Sequence, residues 1–218
     1  MKKWVDYLEE QELLDYYLLD ILCNETKPVV TQFQTLFPDF PQKAGETEDG
    51  LVKRIEKELE KRADNINKAF KDLNRIIKKS APSSAKFLVD VKSAKSIASK
   101  LTRGYKGNQI HDIVRSAILL KKKEEVIETV KKLKRNAHIY EYEYKHLDKE
   151  DKLGYHGSHH FKIKVGEYIV EIQVMTKKLW AYKHEAHKIY EKYRNGLMNT
   201  YLKSELKRSR ELFKLGNK

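Results

Sequence analysis

The sequence predicts an α+β domain: a mixed sheet of four or five strands flanked by helices, with a helical segment at the amino terminus. Three observations carry this. Period-2 alternation marks a hairpin at 153–176, where Phe161, Ile163 and Val165 alternate with Lys162 and Lys164 before a Gly166–Glu167 turn. Apolar residues three and four apart mark helices on either side of the strand-like runs. Helical and strand patterns then interleave through residues 87–176, with no internal repeat and no low-complexity tract.

Residues 2–22 pattern as a helix with a wide apolar face (Trp4, Leu8, Leu13, Leu14, Tyr17, Leu18, Ile21) that Pro28 ends. Val29–Pro41 is aromatic and broken by prolines, and Gln42–Gly50 is a polar linker. One long helix is expected from Leu51 to Lys79, carried by Leu51, Ile55, Leu59, Ile66, Phe70, Leu73 and Ile77 and stopped by Ser80-Ala-Pro-Ser-Ser. Phe87–Val91 reads as a short strand, Ala94–Leu101 as a helix capped by Ser93, and Arg103–Asn108 as a loop. Ile110–Leu120 reads as a central strand, Glu124–Lys134 as a basic amphipathic helix, and His138–Tyr144 as a strand. On that last strand Ile139, Glu141 and Glu143 should oppose His138, Tyr140, Tyr142 and Tyr144. After a charged loop at Lys145–Lys152 comes the hairpin, opened by Gly154 and Gly157, and helices at Lys177–Tyr193 and Met198–Leu215 close the chain. Three segments follow: an acidic helical stretch at 1–50, a core domain at 51–195 that includes its leading helix, and a basic helix at 196–218.

Of the 218 residues, 40% are hydrophobic and 35% charged, enough for a true core under a heavily solvated surface. No run reaches the apolar length of a membrane span, and MKKWVDYLEEQELL turns acidic too early for a signal peptide. Cys23 is the lone cysteine, which excludes an internal disulfide and cysteine-built metal sites and points to a reducing cytoplasm. The net charge of +13 is uneven. Residues 1–50 hold four Lys/Arg against eleven Asp/Glu, which leaves 41 basic and 21 acidic residues for 51–218. Such a balance points to a polyanionic partner, a nucleic acid or a phosphate-rich small molecule.

Chemistry concentrates in a few polar residues within apolar surroundings. On the return strand of the hairpin, Tyr168, Val170, Ile172 and Val174 share one face, and Ile169, Glu171 and Gln173 share the other. An acid and an amide there cost folding energy unless a cation meets them. Asp112 precedes the apolar run Ile118–Leu120 of the expected central strand. Two such acids on neighbouring strands can hold a divalent cation, and two unrelated edge acids are the alternative. Lys92, Lys95 and Lys100 around a strand-to-helix turn form a phosphate-binding edge or a solvated face. Tyr155 either stacks on a base or packs in the core. The HxxHH spacing of His156, His159 and His160 matches no common zinc template, and His184 with His187 lacks an HExxH pattern.

In order, VKSAKSIASKL (91–101), HDIVRSAIL (111–119), LGYHGSHH (153–160), VEIQVMT (170–176) and EAHKIYEKYR (185–194) resemble the synthetase domain of the RelA/SpoT family. The resemblance covers roughly residues 50–195 and implies a nucleotidyltransferase-like fold. It also implies a pyrophosphokinase that moves the β,γ-pyrophosphate of ATP to the 3′-hydroxyl of a purine nucleotide with Mg²⁺. Carried over by motif, Asp112 and Glu171 would hold the metal, with Glu171 helping to deprotonate the acceptor. Lys92, Lys100 and Arg115 would bind donor phosphates, Tyr155 would stack on the acceptor base, and His159 with Gln173 would position acceptor or phosphate groups. Small members of the family make alarmones of the stringent response from GDP or GTP, make adenine analogues, or modify the 3′ CCA end of tRNA as growth-arresting toxins that a neutralising antitoxin restrains. This chain departs from the pattern at Asp90, where the family carries an arginine, at the close spacing of Arg115 to Asp112, and at His156-Gly157-Ser158. A non-catalytic RNA- or ribosome-binding protein on the same fold is the competing class, and the oligomeric state stays open.

Overall fold

Two helices, α1 (Glu48–Lys61) and α2 (Ala63–Ser80), lead into β1 (Lys86–Val91), α3 (Ala94–Leu101) and a 3-10 turn at Gly107–Gln109. The chain continues through β2 (Val114–Leu120), α4 (Lys123–Asn136), β3 (His138–Tyr144), β4 (His159–Val165), β5 (Tyr168–Thr176), α5 (Lys177–Arg194) and α6 (Thr200–Gly216). These come from a computed structural model that describes residues 36–145, 155–194 and 200–216. The helix expected at 2–22, Cys23, Phe33, most of the charged loop at 145–152 and Gly154 lie outside the described residues.

The five strands form one mixed sheet in the order β1-β2-β5-β4-β3. Only β2 and β5 run parallel. This is the expected α+β class, with β5 as the middle strand. Alternation along β5 is as read: Val170, Ile172 and Val174 are buried on one face, and Glu171 and Gln173 are half-buried on the other. Gly166 turns the β4–β5 hairpin at φ 57°, a left-handed conformation that glycine adopts without a Cβ clash.

The larger core joins α1–α4 to one face of the sheet, through Leu51, Ile55, Leu73, Ile77, Ile97, Val130 and Leu133 against Ile118, Phe161, Ile163, Val170 and Ile172. Each such side chain contributes roughly 1.5–3 kcal/mol by burial. A smaller core covers only one end of the other face, where Ala117, Leu119 and Met175 meet Leu179 and Ala186 of α5 and Phe213 of α6. The polar half of β2, β4 and β5 lies beyond that smaller core.

Three expectations need correction. The single helix 51–79 is two, broken at Arg62 (φ −103°, ψ 8°). Neither Arg62 nor Ala63 is a large apolar residue, and the halves have different partners: α1 packs on α3, and α2 on α4. Asp112 is not in a strand. β2 starts at Val114, and Asp112 sits in the turn that follows the 3-10 segment. In β3 a bulge between Ile139 and Glu141 resets the register. Ile139 therefore faces the core opposite Ile163, and Glu141 and Glu143 pair with Lys162 and His160 on the other face.

Local signals fix several ends. Thr47 caps α1 through the Gly50 N–H at 3.2 Å, and Ser93 caps α3 as expected through the Ser96 N–H at 3.3 Å. Glu125 reaches back to accept the N–H groups of Lys121 (2.9 Å) and Lys122 (3.1 Å) at the start of α4. Ala81 is extended because Pro82 follows it, so α2 stops at Ser80.

Candidate active site

Asp112 is held between two cations. Its carboxylate accepts from Lys92 Nζ at 2.8 Å and from Lys100 Nζ at 2.9 Å. Lys92 is placed by the N–H it donates to the Ile113 carbonyl (2.8 Å), which extends the β1–β2 ladder beyond its last strand pair. Lys100 comes from the last turn of α3. Burial alone would raise the Asp112 carboxyl, but the two lysines outweigh it and hold it below the usual range. Burial lowers Lys92, and Asp112 only partly restores it.

Glu171 begins a second chain of contacts. The Gln173 amide donates to Glu171 Oε1, and Lys183 of α5 donates to Gln173 Oε1. Lys183 is pushed down to about 8, first by burial and then by the charges of Arg115 and Lys145, with Glu171 working in the opposite direction. Its ammonium lies 4.8 Å from the centre of the Tyr155 ring. That ring also meets Phe213 at 5.1 Å. The Tyr155 hydroxyl lies 2.9 Å from His160 Nε2, and Ser158 Oγ donates to it at 2.8 Å. Burial, followed by Lys183 and Lys145, holds His160 well below the ordinary histidine value.

Asp112, Lys100, Arg115, Tyr155, Glu171 and Gln173 line one cavity of about 560 Å³, together with Lys183. Six residues singled out by motif, from segments up to 73 positions apart in the chain, thus meet in one place. Lys92 joins them through Asp112, and Lys95 is exposed. A second cavity of about 430 Å³, lined by Leu88, Asp90, Ala117, Trp180 and His184, shares Arg115, Gln173, Lys183 and His187 with the first. Between the two, Arg115 donates to Asp90 at 2.8 Å.

His159 does not join this group. It pairs with Val174 on the core face of the sheet, buried, with Nδ1 2.9 Å from the Tyr142 hydroxyl. The period of two puts its neighbour His160 opposite Gln173 instead. His156 is buried near Phe213, so the three histidines of the loop point to three different places. Lys183, His160 and Lys145 are cavity residues that the motifs did not single out. Lys183 carried a signal, a lysine four residues after Leu179 and three before Ala186 on the apolar stripe of α5.

The donor set suits Mg²⁺. Two hard carboxylates, Asp112 and Glu171, open on one cavity, and Mg²⁺ commonly takes one or two carboxylates with substrate phosphates and water. Among the described residues no group of three or more His, Cys, Asp or Glu could hold a metal unaided. No described helix is long and apolar enough to cross a membrane.

No family model and no curated protein matches this sequence. Solved structures do. The small alarmone synthetase 2 of Bacillus subtilis is 24% identical, with 77% of this chain and 92% of that one covered at a TM-score of 0.50. The small alarmone synthetase 1 of Bacillus subtilis, bound to its product pppGpp, is 20% identical over 76% and 93% at 0.54. A GTP pyrophosphokinase family protein of Streptococcus pneumoniae is 17% identical over 78% and 86% at 0.50. Through this likeness, the chain that brings Asp112, Glu171 and Tyr155 to one cavity around a five-stranded mixed sheet is identified as having the fold of the small alarmone synthetases.

Proposed function

We propose that the chain is an ATP-dependent pyrophosphokinase of the RelA/SpoT synthetase type, with 51–195 as its catalytic domain and 1–50 and 196–218 as acidic and basic flanks. The observation that carries this is the convergence of Asp112, Glu171, Lys100, Arg115, Tyr155 and Gln173 on one cavity that shares Arg115, Gln173 and Lys183 with a second. Two adjoining cavities that share a row of cations suit a donor and an acceptor nucleotide. The synthetase 1 structure, with pppGpp bound on the same fold, supports a purine nucleotide as ligand.

In this reading the acceptor 3′-hydroxyl attacks the β-phosphorus of ATP. The O3′–Pβ bond forms, the bond from Pβ to the α,β-bridging oxygen breaks, and AMP leaves with that oxygen. Glu171 takes the hydroxyl proton. Gln173 orients the Glu171 carboxylate, and Tyr155 offers its ring to the acceptor base once Lys183 turns toward phosphate. Lys100 and Arg115 turn from Asp112 and Asp90 to the donor phosphates, while Lys92 keeps Asp112 in place. Mg²⁺ held by Asp112 and Glu171 would neutralise the phosphate chain. Positioning and charge neutralisation are the main requirements of such a transfer. The acceptor is a free purine nucleotide such as GDP or GTP, or the 3′ end of tRNA; in the second case the chain would act as a toxin and call for an antitoxin.

The test is incubation of the purified chain with γ-³²P-ATP, Mg²⁺ and GDP, GTP, AMP or total tRNA. Label should appear on an acceptor, chelation should abolish it, and Glu171→Gln should lower kcat/KM by about 100-fold or more. Asp112→Asn is a poorer probe, because it strands Lys92 and Lys100 without their counter-charge. The Asp90–Arg115 ion pair, which occupies a donor cation, favours the non-catalytic RNA- or ribosome-binding alternative. No label on any acceptor, with Glu171→Gln behaving as wild type in cells, would sink the enzyme reading.

A further inference from the structure

The loop that follows α3, Thr102-Arg103-Gly104-Tyr105-Lys106, takes no part in the contacts described above. Gly104 turns it at φ 88°, and Tyr105 at its tip is 47% exposed. Among the described residues, Tyr105 and Leu215 are the large hydrophobic side chains left exposed. Tyr105 also has cations around it. Lys100 Nζ lies 5.7 Å from its ring centre, Arg103 Cζ lies 5.6 Å from it, and Lys106 follows in the chain. An exposed ring ringed by Lys and Arg offers a π-face to a base and cations to the adjoining phosphates.

Its position gives this meaning. Lys100 touches the Asp112 carboxylate at 2.9 Å and lines the 560 Å³ cavity, so one lysine connects the ring to the site. The path from Tyr105 to Asp112 is therefore no longer than these two distances together, a few nucleotide rises of about 3.4 Å. An acceptor mononucleotide that fills the cavity does not need a stacking face outside it, and a ring that served the base of ATP instead would affect transfer to every acceptor alike. A strand whose last nucleotide enters the cavity must leave its preceding base at the mouth. The 41 basic against 21 acidic residues of 51–218 favour such a polyanion.

Resting on the pyrophosphokinase reading, the geometry points to Tyr105 as a stacking platform for the base that precedes the acceptor, in a single-stranded polynucleotide that presents its 3′-hydroxyl to the cavity. Arg103 and Lys106 meet the backbone phosphates on either side of that base. Tyr105 is a positioning residue, since it touches substrate away from the reacting atoms.

Two measurements test this on the full chain. The first compares kcat/KM for label transfer from γ-³²P-ATP to a short oligonucleotide with a free 3′-hydroxyl and to GDP, GTP and AMP. Tyr105→Ala should lower the oligonucleotide value roughly tenfold to 100-fold, mostly through KM, and change mononucleotide values less than about twofold. Tyr105→Trp should restore the oligonucleotide value. Equal losses on both acceptor types, or no loss on the oligonucleotide, overturn the platform. The second measurement, fluorescence anisotropy of a labelled oligoribonucleotide and its deoxy counterpart, needs no turnover. Binding of either that weakens in Tyr105→Ala supports the platform even when no acceptor takes label, in which case only the pyrophosphokinase reading fails. Wild-type protein that binds neither strand overturns the platform on its own.

Discussion

At the residue scale, Lys183 joins the electrostatics of the site to its cost. Its ammonium sits between Gln173, the Tyr155 ring and the cations Arg115 and Lys145, and its pKa falls from the usual 10.5 to about 8. Between those values the unfolded chain binds a proton that the folded one does not, so stability rises with pH there, and below about pH 8 the burial cost is present in full. Lys183→Met removes that cost. It should raise Tm by a few degrees at neutral pH while reducing transfer, and a lower Tm would show that the Gln173 contact outweighs burial. Transfer by the wild type should fall as pH rises through about 8, as the Lys183 charge is lost, and Lys183→Arg should carry the upper limb to higher pH. A pH–rate profile in which the two limbs coincide would remove Lys183 from the proton balance of the site. The residue was legible as a lysine on the apolar stripe Leu179–Ala186, although the charge partners that give it meaning come from other elements. His159 was legible too. The alternation that buries Phe161, Ile163 and Val165 also buries His159, and the family motif pointed the other way.

Among elements, the turn that carries Asp112 shows what local pattern cannot reveal. The β-rich run Ile110–Leu120 gives no sign that its first four residues fall outside the strand, because the reason lies elsewhere in the chain. The segment 36–40 passes over the 3-10 turn so closely that a Cβ on Gly107 would stand 1.9 Å from the Pro38 carbonyl oxygen and 3.0 Å from the Phe40 nitrogen. Both are backbone atoms that cannot swing away. Gly107→Ala should therefore cost about 3 kcal/mol in chemical unfolding. It should also reduce transfer more than its stability loss explains, because the displaced turn moves Asp112 away from Lys92 and Lys100. A denaturation midpoint within error of wild type would rule out the close approach. The bulge in β3 is a similar case. Its sequence alternates without a break, and the reset that separates Ile139 from Glu141 leaves the bulged Tyr140 edge-on to His111 at 5.7 Å, a contact across elements. By contrast, both faces of β5 and the Ser93 cap were readable because each depends on residues within a few positions.

For the whole molecule, the charge distribution supplies a test between the proposed acceptors that no single side chain does. A mononucleotide meets only the cations of the cavity, whereas a strand also meets those of the outer surface, including the exposed Lys207 and Lys214 on one face of α6. That helix reaches the site itself through Phe213, which packs on Tyr155. Each phosphate neutralised on a single strand contributes about −0.7 to the slope of log K against log salt. KM for an oligonucleotide should thus rise steeply between about 50 and 200 mM salt, and KM for GDP should change little over that range. Lys207→Gln with Lys214→Gln should flatten the oligonucleotide slope by about 1.4 and leave the GDP slope unchanged. Equal slopes for the two acceptors would confine recognition to the cavity, and the excess of basic residues beyond position 50 would then serve something other than the acceptor.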